Sequence, residues 1–145
     1  DTSLYFTSTA YDKEMRKEMK KYKGSGDLTI TTDNYMEIME LIYLYPDEFS
    51  GRNITYTGFV YNEPGHDGYQ FLCRFGIIHC IADSGVYGLL TTGNATSYPN
   101  NTWITATGTI SLEYDKTLEQ NLPVLHISKI KETDAPDNPY VYRVF

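Results

Sequence analysis

Two cysteines in 145 residues are too few for a disulfide framework, so the stability of this chain has to come from a packed core. No run of about 18 apolar residues occurs, so no stretch reads as a membrane-spanning helix. Basic residues are in short supply, with 12 Lys and Arg against 19 Asp and Glu, a net charge of −7. That sign repels phosphate backbones and removes the attraction on which nucleic-acid binding depends, so nucleic acid is not an expected partner. Alanine is scarce, whereas 14 tyrosines and many threonines suit a pleated surface, and the fold is expected to be mainly β with N-terminal helices. The sequence has no Gly-rich phosphate loop, no Gly-x-Ser-x-Gly elbow and no His-Glu-x-x-His helix. No reaction therefore declares itself.

The length suits one domain with a real core. Opening on Asp1 rather than Met, the chain is expected to be part of something longer. Ser8 or Thr9 is placed to cap a helix reaching Lys23, with Met15, Met19 and Tyr22 at helical spacing and Gly24-Ser25-Gly26 ending it. Lys13, Arg16, Lys17, Lys20, Lys21 and Lys23 lie here, half of all the basic residues. The stripe reads either as a solvated face or as a contact for anionic lipid headgroups. Residues 1–26 are expected to form a basic helix and linker, and 27–145 the folded domain. A second helix is expected over 34–45, capped by Thr32 or Asp33, with Tyr35, Ile38, Met39 and Ile42 on one face and Pro46 as its stop.

Alternation and turn residues predict strands at 52–61, 71–83, 86–92, 102–114 and 123–132. Gly58 and Gly108 sit inside the first and fourth, where an interior glycine marks a bend or bulge. Five short strands with such bends predict a five-stranded OB-like Greek-key barrel, with a β-sandwich as the alternative. The proline- and tyrosine-rich tail, 134–142, is expected to lie extended along the barrel.

The stretch 71–83 concentrates the reactive side chains. His79, Cys80 and Asp83 supply an imidazole, a thiol and a carboxylate within five residues, the soft N/S set that suits zinc or copper. On a regular strand His79 and Cys80 face opposite sides, so a shared site needs a bulge, or a turn at Ala82-Asp83. Cys80 as a buried apolar residue and Asp83 as a turn residue is the structural alternative. A fourth donor is sought at His126 or in the 93–101 loop. Arg74 lies in the apolar run and, if buried, needs a partner such as Asp83 or Glu113, unless it reaches the barrel rim. Cys73 and Cys80 stand too far apart on one strand to be bridged. His66 and His126 read as solvent-facing or satisfied within the core. Asn53, Asn94 and Asn100 head Asn-x-Thr triplets, which in a bacterial chain are chance matches.

Several motifs in order resemble the YcgQ-type family of Gram-positive membrane proteins. They are Ile-Tyr-x-x-Pro-Asp-x-x-x-Gly-Arg at 42–52, Gly-Phe-Val-Tyr at 58–61, His-Cys-x-Ala-Asp at 79–83, Trp-Ile-x-x-x-Gly-Thr-Ile at 103–110 and Pro-Tyr-Val-Tyr at 139–142. The resemblance implies a soluble domain, carried by a membrane-anchored protein, that works beside a separate permease. Many members have Cys where this chain has His79, and both are transition-metal ligands. Three functions are therefore expected in turn. The first is a non-catalytic accessory domain that binds a partner or substrate, at the cell membrane and outside the cytoplasm. The second is a zinc-binding or zinc-delivery module at His79, Cys80 and Asp83, supported by Arg74 and His126. The third, a thiol enzyme using Cys80 with His79 or His126, is disfavoured because adjacent strand positions diverge.

Overall fold

Alternating burial runs through residues 53–61 and 103–115, the signature of strands with one face on a core. A computed structural model describes residues 8–93 and 97–144, excepting the side chains of Ser8 and Thr9. The caps expected at those two residues, Asn94, and part of the 93–101 loop thus lie outside the described residues.

In chain order the elements are α1 (Ser8–Met19), β1 (Leu28–Thr29), α2 (Tyr35–Leu44), α3 (Pro46–Phe49), β2 (Asn53–Tyr61), β3 (Gln70–Ile77), β4 (Gly85–Thr92), β5 (Trp103–Asp115), β6 (Gln120–Glu132) and β7 (Tyr140–Tyr142). A 3-10 turn, Ile81–Asp83, separates β3 from β4. The strands run β1-β2-β5-β6-β4-β3-β7, and a further pairing of β2 with β3 closes the ring. β4 and β6 pair in parallel, whereas the other barrel neighbours are antiparallel. The result is the expected five-stranded OB-like barrel, with one short strand added on each side.

Closure depends on close backbone approach at three glycines, Gly58, Gly88 and Gly108, of which the sequence singled out the first and last. A Cβ on Gly58 would lie 2.6 Å from the Cys73 carbonyl oxygen, and one on Gly108 would lie 2.1 Å from that of His126. At Gly108 the β5–β6 register also slips, a bulge that bends the strand. Gly58 and Gly108 thus stand where the sequence put them.

Elsewhere the elements depart from expectation. The strand read as 71–83 stops at Ile77, because the Asp83 carboxylate accepts the backbone N–H groups of Ile78, His79 and Cys80 and winds them into a turn. Asn34, not Thr32 or Asp33, precedes α2, and its side chain accepts the Thr31 N–H instead of capping the helix. Pro46 both ends α2 and opens α3, occupying a first-turn position where no N–H is needed. β1 and β7 were not foreseen as strands, although Tyr140–Tyr142 does pack along the barrel, parallel to β3.

The core forms where α2 seats Tyr35, Ile38, Leu41 and Ile42 against the barrel interior. α1 joins the same core through Met15 and Met19. Tyr56 carries a hydroxyl into the barrel interior. Its hydroxyl donates to the Leu72 carbonyl at 2.8 Å and accepts the Leu89 N–H at 3.2 Å, joining β2 to β3 and β4. Tyr56→Phe strands both backbone groups in a dry interior and should cost about 1–3 kcal/mol in urea unfolding. A cost near zero would mean that water replaces the hydroxyl.

Candidate functional site

In a closed OB-like barrel the loop after the first strand and the hairpin between the last two come together beside one face. Here the β2–β3 loop, 62–69, meets the β5–β6 hairpin around a cleft of about 300 Å³. Leu90, Leu122 and Val124 give it an apolar floor, and His66, Tyr69, Glu113 and Asp115 line it as well. β5 alternation sends Glu113 and Asp115 to the same face as Ser111, while a positive φ at Gly65 and Gly68 shapes the loop that brings in His66.

His66 is buried beside Asp115, its Nε2 2.7 Å from the carboxylate. The Leu118 N–H donates to Asp115 and holds its carboxyl below the usual range; burial opposes this and the His66 bond adds to it. Asp115 is therefore an acceptor, so His66 Nε2 carries the proton. The Nδ1 of the same ring is buried without a hydrogen bond, 3.8 Å from the Glu63 carboxylate.

A second set adjoins the first. Glu113 receives the Ser111 hydroxyl at 3.0 Å, the Tyr69 hydroxyl at 3.3 Å, and His126 Nε2. The Glu113 charge is the chief reason the Tyr69 hydroxyl is held above its ordinary pKa, with burial and their hydrogen bond adding to it. Ser, His and carboxylate here are not a hydrolytic triad. Ser111 Oγ and Glu113 both meet His126 at Nε2, whereas a relay needs them at opposite ring nitrogens.

The residues singled out in 71–83 lie at the other end of β3. His79 and Cys80 are exposed in the turn, and Asp83 spends its oxygens on the three N–H groups beneath it. Among the described residues no group of three or more His, Cys, Asp and Glu is placed to hold a metal ion. His126 belongs to the Glu113 set, so the structure does not bring it to Cys80. Cys73 and Cys80 are both free. Burial, with the Glu63 charge behind it, pushes the Cys73 thiol up to about 12, so Cys73 is no nucleophile near neutrality. Arg74 is buried but pairs with neither Asp83 nor Glu113. Its Nε donates to the Pro139 carbonyl at 3.3 Å, and its guanidinium lies over the rings of Trp103 and Tyr35, 5.3 and 5.9 Å from their centroids. Aromatic faces stand in for the expected carboxylate.

Burial raises the Asp83 carboxyl, but the three N–H groups together outweigh it and hold it below the usual range. A carboxyl lowered on folding stabilises the turn above its unfolded pKa of about 3.9, and that support is lost as pH falls through the lower, folded value. Amide protection at Ile78, His79 and Cys80, taken against the intrinsic exchange rate at each pH, should therefore fall in acid before the barrel opens, and Asp83→Ala should show the same lost protection at neutral pH. Protection that is unchanged in Asp83→Ala would contradict this role.

The His66–Asp115 contact went unread because 49 residues separate the partners. Only the barrel topology, which places the first loop beside the last hairpin, could have exposed it.

Comparison with known proteins supplies the family context. The sequence profile described as "DUF1980 C-terminal domain" matches residues 5–143. A Streptococcus mutans protein named "Putative two-component membrane permease complex subunit" is 67% identical over the whole chain, which covers 54% of that protein. The Bacillus subtilis "UPF0703 protein YcgQ" is 42% identical, again over the whole chain and 52% of its own length. The chain thus spans about half the length of these curated relatives. Among solved structures, an aspartyl tRNA synthetase from Entamoeba histolytica aligns with 76% of this chain and 25% of its own at 14% identity and a TM-score of 0.38, a likeness too slight to argue from.

Proposed function

The chain belongs to the DUF1980 C-terminal domain family, and on that premise we propose that it is a non-catalytic accessory domain of a membrane permease complex, recognising its partner through the cleft between the β2–β3 loop and the β5–β6 hairpin. The name of the relative at 67% identity, a membrane permease complex subunit, supports a membrane location for the full-length protein. Tyrosine- and threonine-rich composition supports an extracytoplasmic position, which a C-terminal reporter fusion reads directly.

The observation that carries the reading is how the cleft divides its labour. His66, Asp115, Glu113 and Tyr69 are bonded among themselves, to His126 and Ser111, or to backbone, so they brace the walls. Tyr114 and Leu118 on the hairpin are, by contrast, 62% and 53% exposed. A braced polar wall, an apolar floor and protruding aromatic and aliphatic side chains favour recognition of another surface over chemistry. Full-length protein should co-purify with its cognate permease subunit from detergent-solubilised membranes. Tyr114→Ala with Leu118→Ala should weaken that association at least tenfold without lowering the melting temperature. Undiminished co-purification would move the interface off the cleft.

A further inference from the structure

We propose that the outer face of α1 is an electrostatic contact for an anionic lipid surface, holding the domain with its acidic barrel turned away from the bilayer. The proposal stands on charge and helix geometry and does not depend on the cleft. Residues 10–23 hold six basic and three acidic side chains, net +3, against −7 for the whole chain, which leaves −10 elsewhere. The molecule is therefore strongly polar in charge, with its positive pole on α1 and the turn that follows it.

Docking fixes which side of that helix is outward. Met15 and Met19 are buried in the common core. Glu18 turns inward to Arg143, with the ion pair at 3.0 Å, so one of the three carboxylates is neutralised on the docked side. At about 100° per residue, Lys17 then projects directly away from the two methionines and Lys13 lies within about 40° of it, while Lys20 follows in the turn after α1. All three are exposed, as is Arg16 at their flank, whose guanidinium stands 5.0 Å from the Tyr45 ring centroid. Lys21 is drawn aside to Glu37 at 3.1 Å, Asp12 falls towards the docked side, and Glu14 is the one carboxylate among the lysines of the outer face, about 60° from Lys17.

The kind of side chain selects the occupant. Lysine is depleted from protein–protein interfaces, and its hydrated, flexible ammonium makes a poor fixed partner. The same properties suit a diffuse sheet of headgroup charge, which asks only for proximity. Nucleic acid lacks that advantage, because wrapping would bring its phosphates against the acidic remainder. A planar membrane can meet the helix alone.

The test uses the whole 145-residue chain in sedimentation with vesicles of phosphatidylcholine alone, or with a third of the lipid replaced by phosphatidylglycerol. Binding should appear only on the anionic vesicles and be lost between about 0.1 and about 0.5 M salt. Each basic residue at such a surface is worth roughly fivefold in partition, so Lys13→Gln/Lys17→Gln/Lys20→Gln should lose about a hundredfold. These side chains face solvent, and unchanged circular dichroism will confirm that the fold persists. Lys129→Gln/Lys131→Gln, exposed on β6, should bind as the wild type does. Equal partition onto both vesicle types, or an undiminished triple variant, would overturn the proposal. Displacement from vesicles by polyglutamate or duplex DNA at matched charge would also overturn it, and assign the stripe to an acidic macromolecule.

Discussion

Gly108→Ala should destabilise the fold by about 3 kcal/mol, the upper range for forcing an extra carbon into a packed interior. A Cβ there would stand 2.1 Å from the His126 carbonyl oxygen and 2.7 Å from its carbon. Both neighbours are backbone on the partner strand, so no side chain can swing aside to relieve the clash. The bulge between Thr107 and Gly108 is where β5 bends to keep its pairing with β6, and this longest ladder would have to slip or part. Thr109→Ala, one residue on and exposed, is the matched control and should change stability by less than about 0.5 kcal/mol. Chemical unfolding of the two variants measures the difference directly. Equal midpoints would mean that the strands do not approach as closely as described.

Arg143→Met carries the second large effect. The guanidinium is buried between Glu18 of α1 and Glu40 of α2, with contacts at 3.0 and 3.2 Å, while its backbone N–H donates to Ile77 on β3. Its two carboxylate partners and the Val144 carbonyl leave it well satisfied. Its charge is accordingly held on more firmly than usual, although burial alone would act the other way and is outweighed by Glu18 and then Glu40. Methionine keeps much of the volume but abandons two partly buried carboxylates. Removing one member of a buried ion pair costs about 3–5 kcal/mol, and the partial exposure of Glu40 argues for the lower end, about 3 kcal/mol. Because Glu18 belongs to α1, that helix should loosen first, with amide exchange around Met15 and Met19 rising before exchange within the barrel. A double-mutant cycle with Glu18→Gln isolates the pair, and a coupling near zero would refute the assignment.

How much of this was readable beforehand depends on whether residues were tied to a repeating pattern. β2 and β5 alternate cleanly, and glycines within them announced the bends, so the barrel could be read from one sequence. β1 and β7 could not, since two or three residues show no period; edge pairing alone makes them strands. The overlong reading of β3 has a specific cause. Ile77, Ile78 and Ile81 continue an apolar run, but one carboxylate at Asp83 gathers three N–H groups and ends the strand. Arg74 was recognised as a charge needing compensation, yet aromatic rings supply it, and a ring over a guanidinium leaves no spacing to detect. Sequence reasoning centred attention on His79, Cys80 and Asp83 because they are adjacent in the chain. The cleft joins His66, Tyr69, Glu113 and Asp115, which only barrel closure makes neighbours.

The central claim is that the 62–69 loop and the β5–β6 hairpin form the surface by which this domain engages its permease. Amide hydrogen exchange of the full-length protein, alone and assembled with its cognate permease subunit in detergent, tests it most directly. The account predicts added protection at residues 65–69 and 113–118, with the 78–83 turn exchanging at the same rate in both states. Protection confined to the 78–83 turn, with the cleft unchanged, would contradict it.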